Sequence, residues 1–188
     1  MTTTLFTNAH IATGEPGSTA ASTLPLQDIL VTDGVFTAFG PGLAQQYEAQ
    51  GGDLAAIEVV DLGGKLVCPP FCDTHLPLDY VFTARKPGAV NESGTLFEGI
   101  QRWSETKSDL TVDEIKQRAK IGIKKEMLHG VQLIRSHADV TDPNLTSLKA
   151  LLELKEELKD TVTLQIVSFP QEGMYSYEGP HGESGAEL

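Results

Sequence analysis

The sequence predicts an α/β protein in which a small β-domain precedes the first units of a barrel of parallel strands with outer helices. Three polar clusters support this prediction, because each follows a short apolar run and precedes a helical pattern. They are Asp73-Thr74-His75, His137-Ala138-Asp139 and Gln171-Glu172. Catalytic groups of such barrels collect at the carboxyl ends of the strands, so we expect an enzyme. The chain has 188 residues, whereas a complete barrel needs about 250, so we expect the barrel to be incomplete.

Composition narrows the range of partners. The formal net charge of −12 disfavours nucleic acid, which is bound through Lys and Arg, although an uncharged nucleobase remains compatible. Neither a signal peptide nor an apolar run long enough for a membrane span is visible. The two cysteines, Cys68 and Cys72, argue against a disulfide framework and are too few for a structural zinc site. We therefore expect a cytoplasmic protein with both cysteines buried beside the site.

The first 66 residues predict a small β-domain of short strands and turns. Residues 26–40 form a hairpin pattern around Asp33-Gly34, a dipeptide that tolerates the positive φ angles of a tight turn. Two short β-rich runs flank Gly63-Gly64 and predict a second hairpin. Residues 41–53, rich in Gly, Gln and Ala, read as a surface loop. No chemistry is evident in this domain.

Residues 67–188 predict alternating strands and helices. An apolar run ending at His75 is the first strand, and the prolines within it predict a bulge. The next helix contains Trp103 and begins at a cap supplied by Ser93 or Thr95. The following helix has its own signals, which are a capping box at Thr111 and Glu114 and a left-handed end at Gly130.

The second half of this region continues the alternation. Residues 131–134 predict a strand, Asp142-Pro143 the start of a helix, and residues 161–169 a third strand. The helix carries a leucine stripe at positions 148, 151, 154 and 158. Strands in this order imply parallel pairing through right-handed crossovers. Ser184 and Glu187 resemble another capping box, so we expect a truncated chain that ends inside a helix.

Several residues at the predicted strand ends are candidates for chemistry. His75 is either a metal ligand or a packed or hydrogen-bonded histidine. Position i+2, where a second ligand His would share its strand face, is Pro77. His137 and Asp139 share a face by the same spacing and suggest either groups that orient a ligand or a structural hydrogen bond. Gln171 offers a donor and an acceptor to a planar amide-like ring, the alternative being a solvated loop side chain.

Other polar residues are weaker candidates. His10, His129 and His181 are expected to be solvated or to cap helices. Glu172 is a possible acid or base for which the sequence shows no partner. The sequence also contains no phosphate-binding glycine loop and no serine nucleophile elbow.

Several segments together resemble bacterial-type cytosine deaminases of the amidohydrolase superfamily. They are Pro69-Pro70-Phe71 leading to His75, Leu78-Asp79, Ser93-Gly94-Thr95-Leu96-Phe97-Glu98-Gly99-Ile100, Arg135-Ser136-His137-Ala138-Asp139-Val140, Leu164-Gln165-Ile166-Val167 and Phe169-Pro170-Gln171-Glu172-Gly173. The matches run in order across nearly the whole chain and correspond to the N-terminal part of the family.

The resemblance implies a metal-dependent (β/α)8 TIM barrel with a small β-sandwich domain, and a divalent iron or zinc ion that activates water. The expected substrate is cytosine or a related heterocycle. His75 matches the first His of the family's metal pair, Gln171 the residue that hydrogen-bonds the pyrimidine, and Leu96 a pocket-lining residue. The second metal His is replaced by Pro77. The remaining ligands and the proton-shuttling residues belong to later strands, so no catalytic group is expected within this chain.

Three hypotheses follow. The first is a hydrolytic deaminase of the cytosine deaminase type. The second is a non-catalytic relative that has lost its metal site, as Pro77 suggests. The third is an incomplete chain without an independent function. The sequence does not determine which heterocycle or which metal is bound, or whether the protein forms a homo-oligomer.

Overall fold

A computed structural model describes residues 2–12, 24–175 and 182. The chain divides into two compact units, Met1–Pro69 and Pro70–Leu188. His181 and the predicted capping box at Ser184 and Glu187 lie outside the described residues. Within the described part of the chain, no helix has the length and apolar character needed to cross a membrane.

The first unit contains a five-stranded mixed sheet. Its strands are β1 (Thr3–Ile11), β2 (Leu26–Thr32), β3 (Val35–Gly40), β4 (Glu58–Asp61) and β5 (Leu66–Val67). The predicted hairpin is confirmed, because β2 and β3 pair antiparallel. Asp33 and Gly34 join them with φ angles of 50° and 78°, as a type I′ turn requires. Leu5 and Ala9 of β1 are fully buried in this unit.

The predicted second hairpin around Gly63-Gly64 is wrong. Strands β4 and β5 do not pair with each other, and both pair in parallel with β1. Asn8 interrupts β1 with a φ of 57°, and the Gly64 N–H donates to the Asn8 carbonyl over 2.8 Å. The glycine turn therefore spans the irregularity in β1. After the turn, β5 pairs with the next part of β1 instead of folding back onto β4.

The predicted surface loop over residues 41–53 is also wrong, because it contains helix α1 (Leu43–Ala49). The backbone N–H of Leu43 donates to Oδ2 of the buried Asp28 over 2.9 Å. Asp28 thus satisfies one of the free N–H groups at the start of the helix, and the side chain of Leu43 is buried. A single 3₁₀ turn, Leu54–Ala56, follows.

The second unit alternates parallel strands with helices, which confirms the predicted α/β pattern. Its strands are β6 (Phe71–Asp73), β7 (Val131–Asp139) and β8 (Thr163–Phe169). They pair in parallel in the order β6-β7-β8. Its helices are α2 (Leu96–Lys107), α3 (Val112–Leu128) and α4 (Thr146–Glu157), with a 3₁₀ turn at Thr83–Arg85.

The predicted helix caps of α2 and α3 are confirmed. The side chain of Thr95 accepts from the backbone N–H of Glu98 at the start of α2. Thr111 and Glu114 form a reciprocal capping box at the start of α3. After α3, Gly130 has a φ of 87°, the left-handed conformation that glycine adopts without steric cost.

The predicted start of α4 at Asp142-Pro143 is wrong by several residues. The carboxylate of Asp142 accepts from the backbone N–H groups of Asn144 and Thr146 over 3.0 and 2.9 Å. Leu145 then takes a φ of 51° before the helix begins. Asp142 therefore stabilises a turn ahead of the helix, and Pro143 lies in that turn.

The core of the second unit lies between its sheet and helices α3 and α4. Ile134, Ala138 and Leu164 are buried on the helix-facing side of β7 and β8. The predicted burial of the cysteines is wrong, because Cys68 and Cys72 are both exposed. Cys72 lies on β6, which among the described strands pairs only with β7, so one edge of that strand remains uncovered.

Candidate active site

A cavity of about 960 Å³ lies in the second unit beside the carboxyl ends of its strands. His75 reaches it from the segment after β6, and Gln171 from the segment after β8. Leu96, the first residue of α2, forms part of a third wall. The structure therefore brings these sequence-predicted residues to one concave surface. Pro77 and Trp103 also line the cavity.

His75 contacts the imidazole of His137. The two rings are stacked with centroids 4.1 Å apart and planes inclined by 23°. Phe169 meets His137 edge-on at 6.2 Å. Burial lowers the pKa of His137, and the neighbouring His75 and Arg135 lower it further. The environment of His137 therefore favours the neutral imidazole.

The described residues do not fit a metal centre. Imidazole nitrogens bind zinc at about 2.0–2.1 Å through lone pairs in the ring plane, and the nearly parallel planes of His75 and His137 do not converge on one ion. No group of three or more His, Cys, Asp or Glu side chains in the described part of the chain is arranged to hold a metal. Pro77 offers no ligand atom to supplement this pair.

Asp139 lies at the end of β7 and is 3% exposed. Its Oδ2 accepts from Trp103 Nε1 over 2.6 Å and from Lys107 Nζ over 3.2 Å. Its Oδ1 accepts from the backbone N–H and the hydroxyl of Thr141 over 2.8 and 2.6 Å. These bonds engage both carboxylate oxygens and link β7 to α2. This arrangement matches the alternative in which Asp139 makes structural hydrogen bonds. The ligand-orienting role of Asp139 and His137 stays a prediction.

Glu172 has partners that the sequence did not reveal. Its Oε1 accepts from Lys107 Nζ over 2.8 Å and from the hydroxyl of Ser104. Both donors lie on α2, so Glu172 connects the segment after β8 to that helix. Free acid or base chemistry at Glu172 would have to break these bonds.

Comparisons with known proteins show that the chain is similar to amidohydrolases and deaminases. No family model matches it. A crystal structure of 5-methylcytosine deaminase from Klebsiella pneumoniae, liganded with 5-fluorocytosine, is 39% identical with a TM-score of 0.75. The similarity covers 95% of this chain and 38% of that one. The chain resembles the N-terminal portion of a cytosine deaminase-like amidohydrolase.

Two curated relatives agree with this resemblance. The N-isopropylammelide isopropyl amidohydrolase of Pseudomonas sp. (strain ADP) is 34% identical over 120 residues, covering 62% of this chain and 30% of the relative. The pterin deaminase of Rhizobium rhizogenes is 26% identical over 152 residues, covering 78% of this chain and 32% of the relative. The chain thus spans about a third of the length of the curated amidohydrolase-type proteins it matches.

The amidohydrolase-like unit also contains functional candidates that sequence reasoning missed. Asp79 is 1% exposed and accepts from the backbone N–H of Asp139 over 2.9 Å. Desolvation is the main cause that raises its pKa to about 6, and the charge of Asp139 adds to it. Trp103 appeared in the sequence only as part of an apolar helix stripe. His129, by contrast, caps α3 as expected from the sequence, and its Nδ1 lies 2.7 Å from the Lys125 carbonyl.

Proposed function

We propose that this chain is the N-terminal part of a hydrolytic deaminase that acts on cytosine or a related cyclic amidine. The observation that carries the proposal is the shared cavity of His75, Leu96 and Gln171. A small planar heterocycle matches such a surface, since ligand sites are mostly apolar clefts with a few placed polar groups. The similar 5-methylcytosine deaminase is described with 5-fluorocytosine as its ligand.

The proposed reaction adds water to the ring carbon that bears the amino group. The carbon–nitrogen bond then breaks, and the amine leaves as ammonia while the carbon becomes a carbonyl. In this chain, Gln171 would pair with the amide-like edge of the ring through its donor and acceptor. Leu96 would pack against the ring. His75 would lie near the reacting carbon, and catalytic groups would come from strands beyond this chain.

The same proposal covers the wider organisation. Residues 1–66 would be the N-terminal part of a composite β-sandwich, and residues 67–188 the first units of a (β/α)8 barrel. The parallel order β6-β7-β8, with a helix after each of the first two strands, supports the barrel. A cytoplasmic location is expected from the composition, and a divalent iron or zinc ion in the complete protein is expected from the resemblance, although the described residues do not form the metal centre.

This function can be tested by measuring ammonia release from cytosine and isocytosine with the protein encoded by the gene. Gln171→Ala should weaken binding of the heterocycle by about tenfold to a hundredfold, because one or two hydrogen bonds to the ring are lost. Gln101→Ala is the matched control, since Gln101 is exposed on α2 and its side chain donates to Glu105. If the wild-type protein neither releases ammonia from any cyclic amidine nor binds one, the proposal is wrong.

A second candidate function is a non-catalytic relative that binds a heterocycle without a metal. Pro77 and the stacked imidazoles of His75 and His137 favour it. We predict that Pro77→His will increase zinc affinity, since it introduces a second imidazole ligand two residues from His75. The control is Pro87→His, at an exposed position of the same unit. Stoichiometric iron or zinc in the purified wild-type protein would rule out this candidate.

A further inference from the structure

We propose that Glu172 is a positioning residue that locks Gln171 against α2 and thereby sets the affinity for the heterocycle. It acts through a cluster that we call the Lys107 clamp: Trp103, Ser104 and Lys107 on α2, Asp139 and Thr141 at the end of β7, and Glu172 after β8. The inference rests on the proposed function, because it assigns Gln171 to the ligand.

Lys107 is the centre of the clamp. Its Nζ donates to Asp139 Oδ2 over 3.2 Å, to Thr141 Oγ1 over 2.7 Å and to Glu172 Oε1 over 2.8 Å. All three donor positions of the ammonium are thus directed at protein oxygens. The Lys107 side chain is only 11% exposed, so these contacts are shielded from the solvent that weakens surface ion pairs.

The clamp joins α2 to the ends of two strands. Trp103 and Lys107 are one helical turn apart and therefore share a face of α2, where both bond Asp139. Ser104, next to Trp103, donates to Glu172. Helix α2 is therefore held by β7 through Asp139 and by the segment after β8 through Glu172.

Glu172 directly follows the predicted ring-binding residue. The backbone N–H of Gln171 donates to the Phe169 carbonyl over 2.9 Å, which fixes a tight turn after β8. The carboxylate of Glu172 fixes the other side of Gln171. Ordering the backbone of Gln171 in advance lowers the conformational entropy that binding must remove.

The opposite wall of the cavity is α2 itself. Leu96, Ile100 and Trp103 of this helix line the same cavity as Gln171. The distance between the two walls is therefore set where Glu172 meets Ser104 and Lys107. If that contact is lost, Gln171 and the apolar wall can separate, and a flat ring between them loses contact on one side.

Glu172 can be removed with less risk to the fold than Asp139. The side chain of Glu172 is 32% exposed, whereas that of Asp139 is 4% exposed. After loss of Glu172, Lys107 still bonds Asp139 and Thr141. Changing Lys107 or Asp139 would instead leave a buried charge without its partner, which destabilises proteins strongly.

The experiment compares Glu172→Ala with Glu153→Ala in the protein encoded by the gene. Glu153 also pairs with a lysine from another helix, Lys116, at 2.8 Å, but lies outside the cavity. We expect Glu172→Ala to raise the Kd and KM for cytosine about tenfold, because binding must then supply the free energy that orders Gln171. The kcat should change less, and Glu153→Ala should change none of these three constants. Glu172→Gln, which keeps an acceptor oxygen, should recover part of the affinity.

A second readout does not depend on activity. Trp103 is the single tryptophan of this chain, it is 5% exposed, and it belongs to the clamp. In this 188-residue chain, Glu172→Ala should increase acrylamide quenching of its fluorescence, and Glu153→Ala should not. Unchanged quenching together with an unchanged Kd would overturn the inference, as would an equal loss of affinity in both variants. If the wild-type protein binds no heterocycle, the proposed function fails, and quenching alone then decides whether Glu172 restrains α2.

Discussion

Asp79 is a carboxylate whose ionisation the fold opposes. It is 1% exposed, and desolvation raises its pKa from 3.8 to about 6. The acid groups around it are Asp139 and Tyr80, and both add to the local negative potential when ionised. Arg118 donates to the Asp79 backbone carbonyl over 2.8 Å, which leaves the carboxylate only partly compensated.

This environment predicts how stability depends on pH. Because the folded-state pKa lies above the unfolded value, the folded state binds more protons between pH 3.8 and about 6, and stability falls as the pH rises through that range. Asp79→Asn removes this contribution. We expect the stability of Asp79→Asn relative to wild type, measured as the difference in the free energy of unfolding, to be about 1 kcal/mol greater at pH 8 than at pH 5.

Urea unfolding of both proteins at pH 5 and pH 8 measures that difference. Asp160→Asn provides the control, since Asp160 is an exposed residue after α4. A difference between Asp79→Asn and wild type that stays constant with pH would show that Asp79 has the same pKa in the folded and unfolded states.

Single residues also show how far the sequence predicts the site. His75 and Gln171 follow predicted strand ends, so local patterns could name them, whereas Leu96 was named from the resemblance to cytosine deaminases. The partner of Glu172 could not be named, because Lys107 lies 65 positions away and is brought near only by the packing of α2. The burial of Asp79 likewise depends on contact with Asp139, 60 positions away.

Among the secondary-structure elements, those with local signals were predicted correctly. The caps of α2 and α3 depend on residues within one helical turn, and the hairpin turn depends on two adjacent residues. Strands β4 and β5 pair with β1, which is distant in sequence, and the intervening Gly63-Gly64 carries no signal for that pairing. Helix α1 was missed for the same reason, since its first N–H group, that of Leu43, depends on the distant Asp28.

Two glycines, Gly122 inside α3 and Gly130 just after it, lead to opposite predictions for stability. Gly130 has a φ of 87°, and a Cβ there would lie 3.4 Å from the Phe71 ring. Gly130→Ala should therefore destabilise the protein by about 1–2 kcal/mol. Gly122 lies inside α3, where a Cβ would meet Leu78 and Val81 at an ordinary 3.6 Å. Gly122→Ala should stabilise by about 0.5–1 kcal/mol, because glycine is a poor helix former.

The free energies of unfolding of the two variants in urea give the comparison directly. Opposite signs are expected because the same substitution is made in a left-handed backbone conformation at position 130 and inside a helix at position 122. Destabilisation by both variants would show that α3 is packed too tightly to accept a methyl group at position 122.

At the scale of the whole molecule, the sheet of the second unit is covered unequally. Helices pack on the side of β7 and β8 that carries Ile134 and Leu164. Val167 and Phe169 of β8 are 37% and 39% exposed, and Phe71 of β6 is 62% exposed. Parallel sheets are normally covered on both faces. The sequence predicted apolar strands, but which of their faces this chain covers depends on packing that local patterns do not specify.

This exposed apolar surface predicts that the 188-residue chain self-associates, as the third hypothesis implies. Strands β6 and β8 each have one edge without a partner among the described strands, and such edges next to apolar patches promote association. We expect the weight-average mass in analytical ultracentrifugation to rise with concentration. Val167→Thr should reduce this rise, because it keeps the β-branched shape while adding a hydroxyl to the exposed position.

Val35→Thr makes the same substitution at an exposed position in the first unit, where Val35 is 62% exposed, and it should change association less. The comparison separates a specific effect of the second unit's sheet from a general gain in polarity. A chain that stays monomeric at all concentrations and unfolds cooperatively would mean that these strands form a self-sufficient unit. It would then remove the physical reason for regarding the 188-residue chain as incomplete.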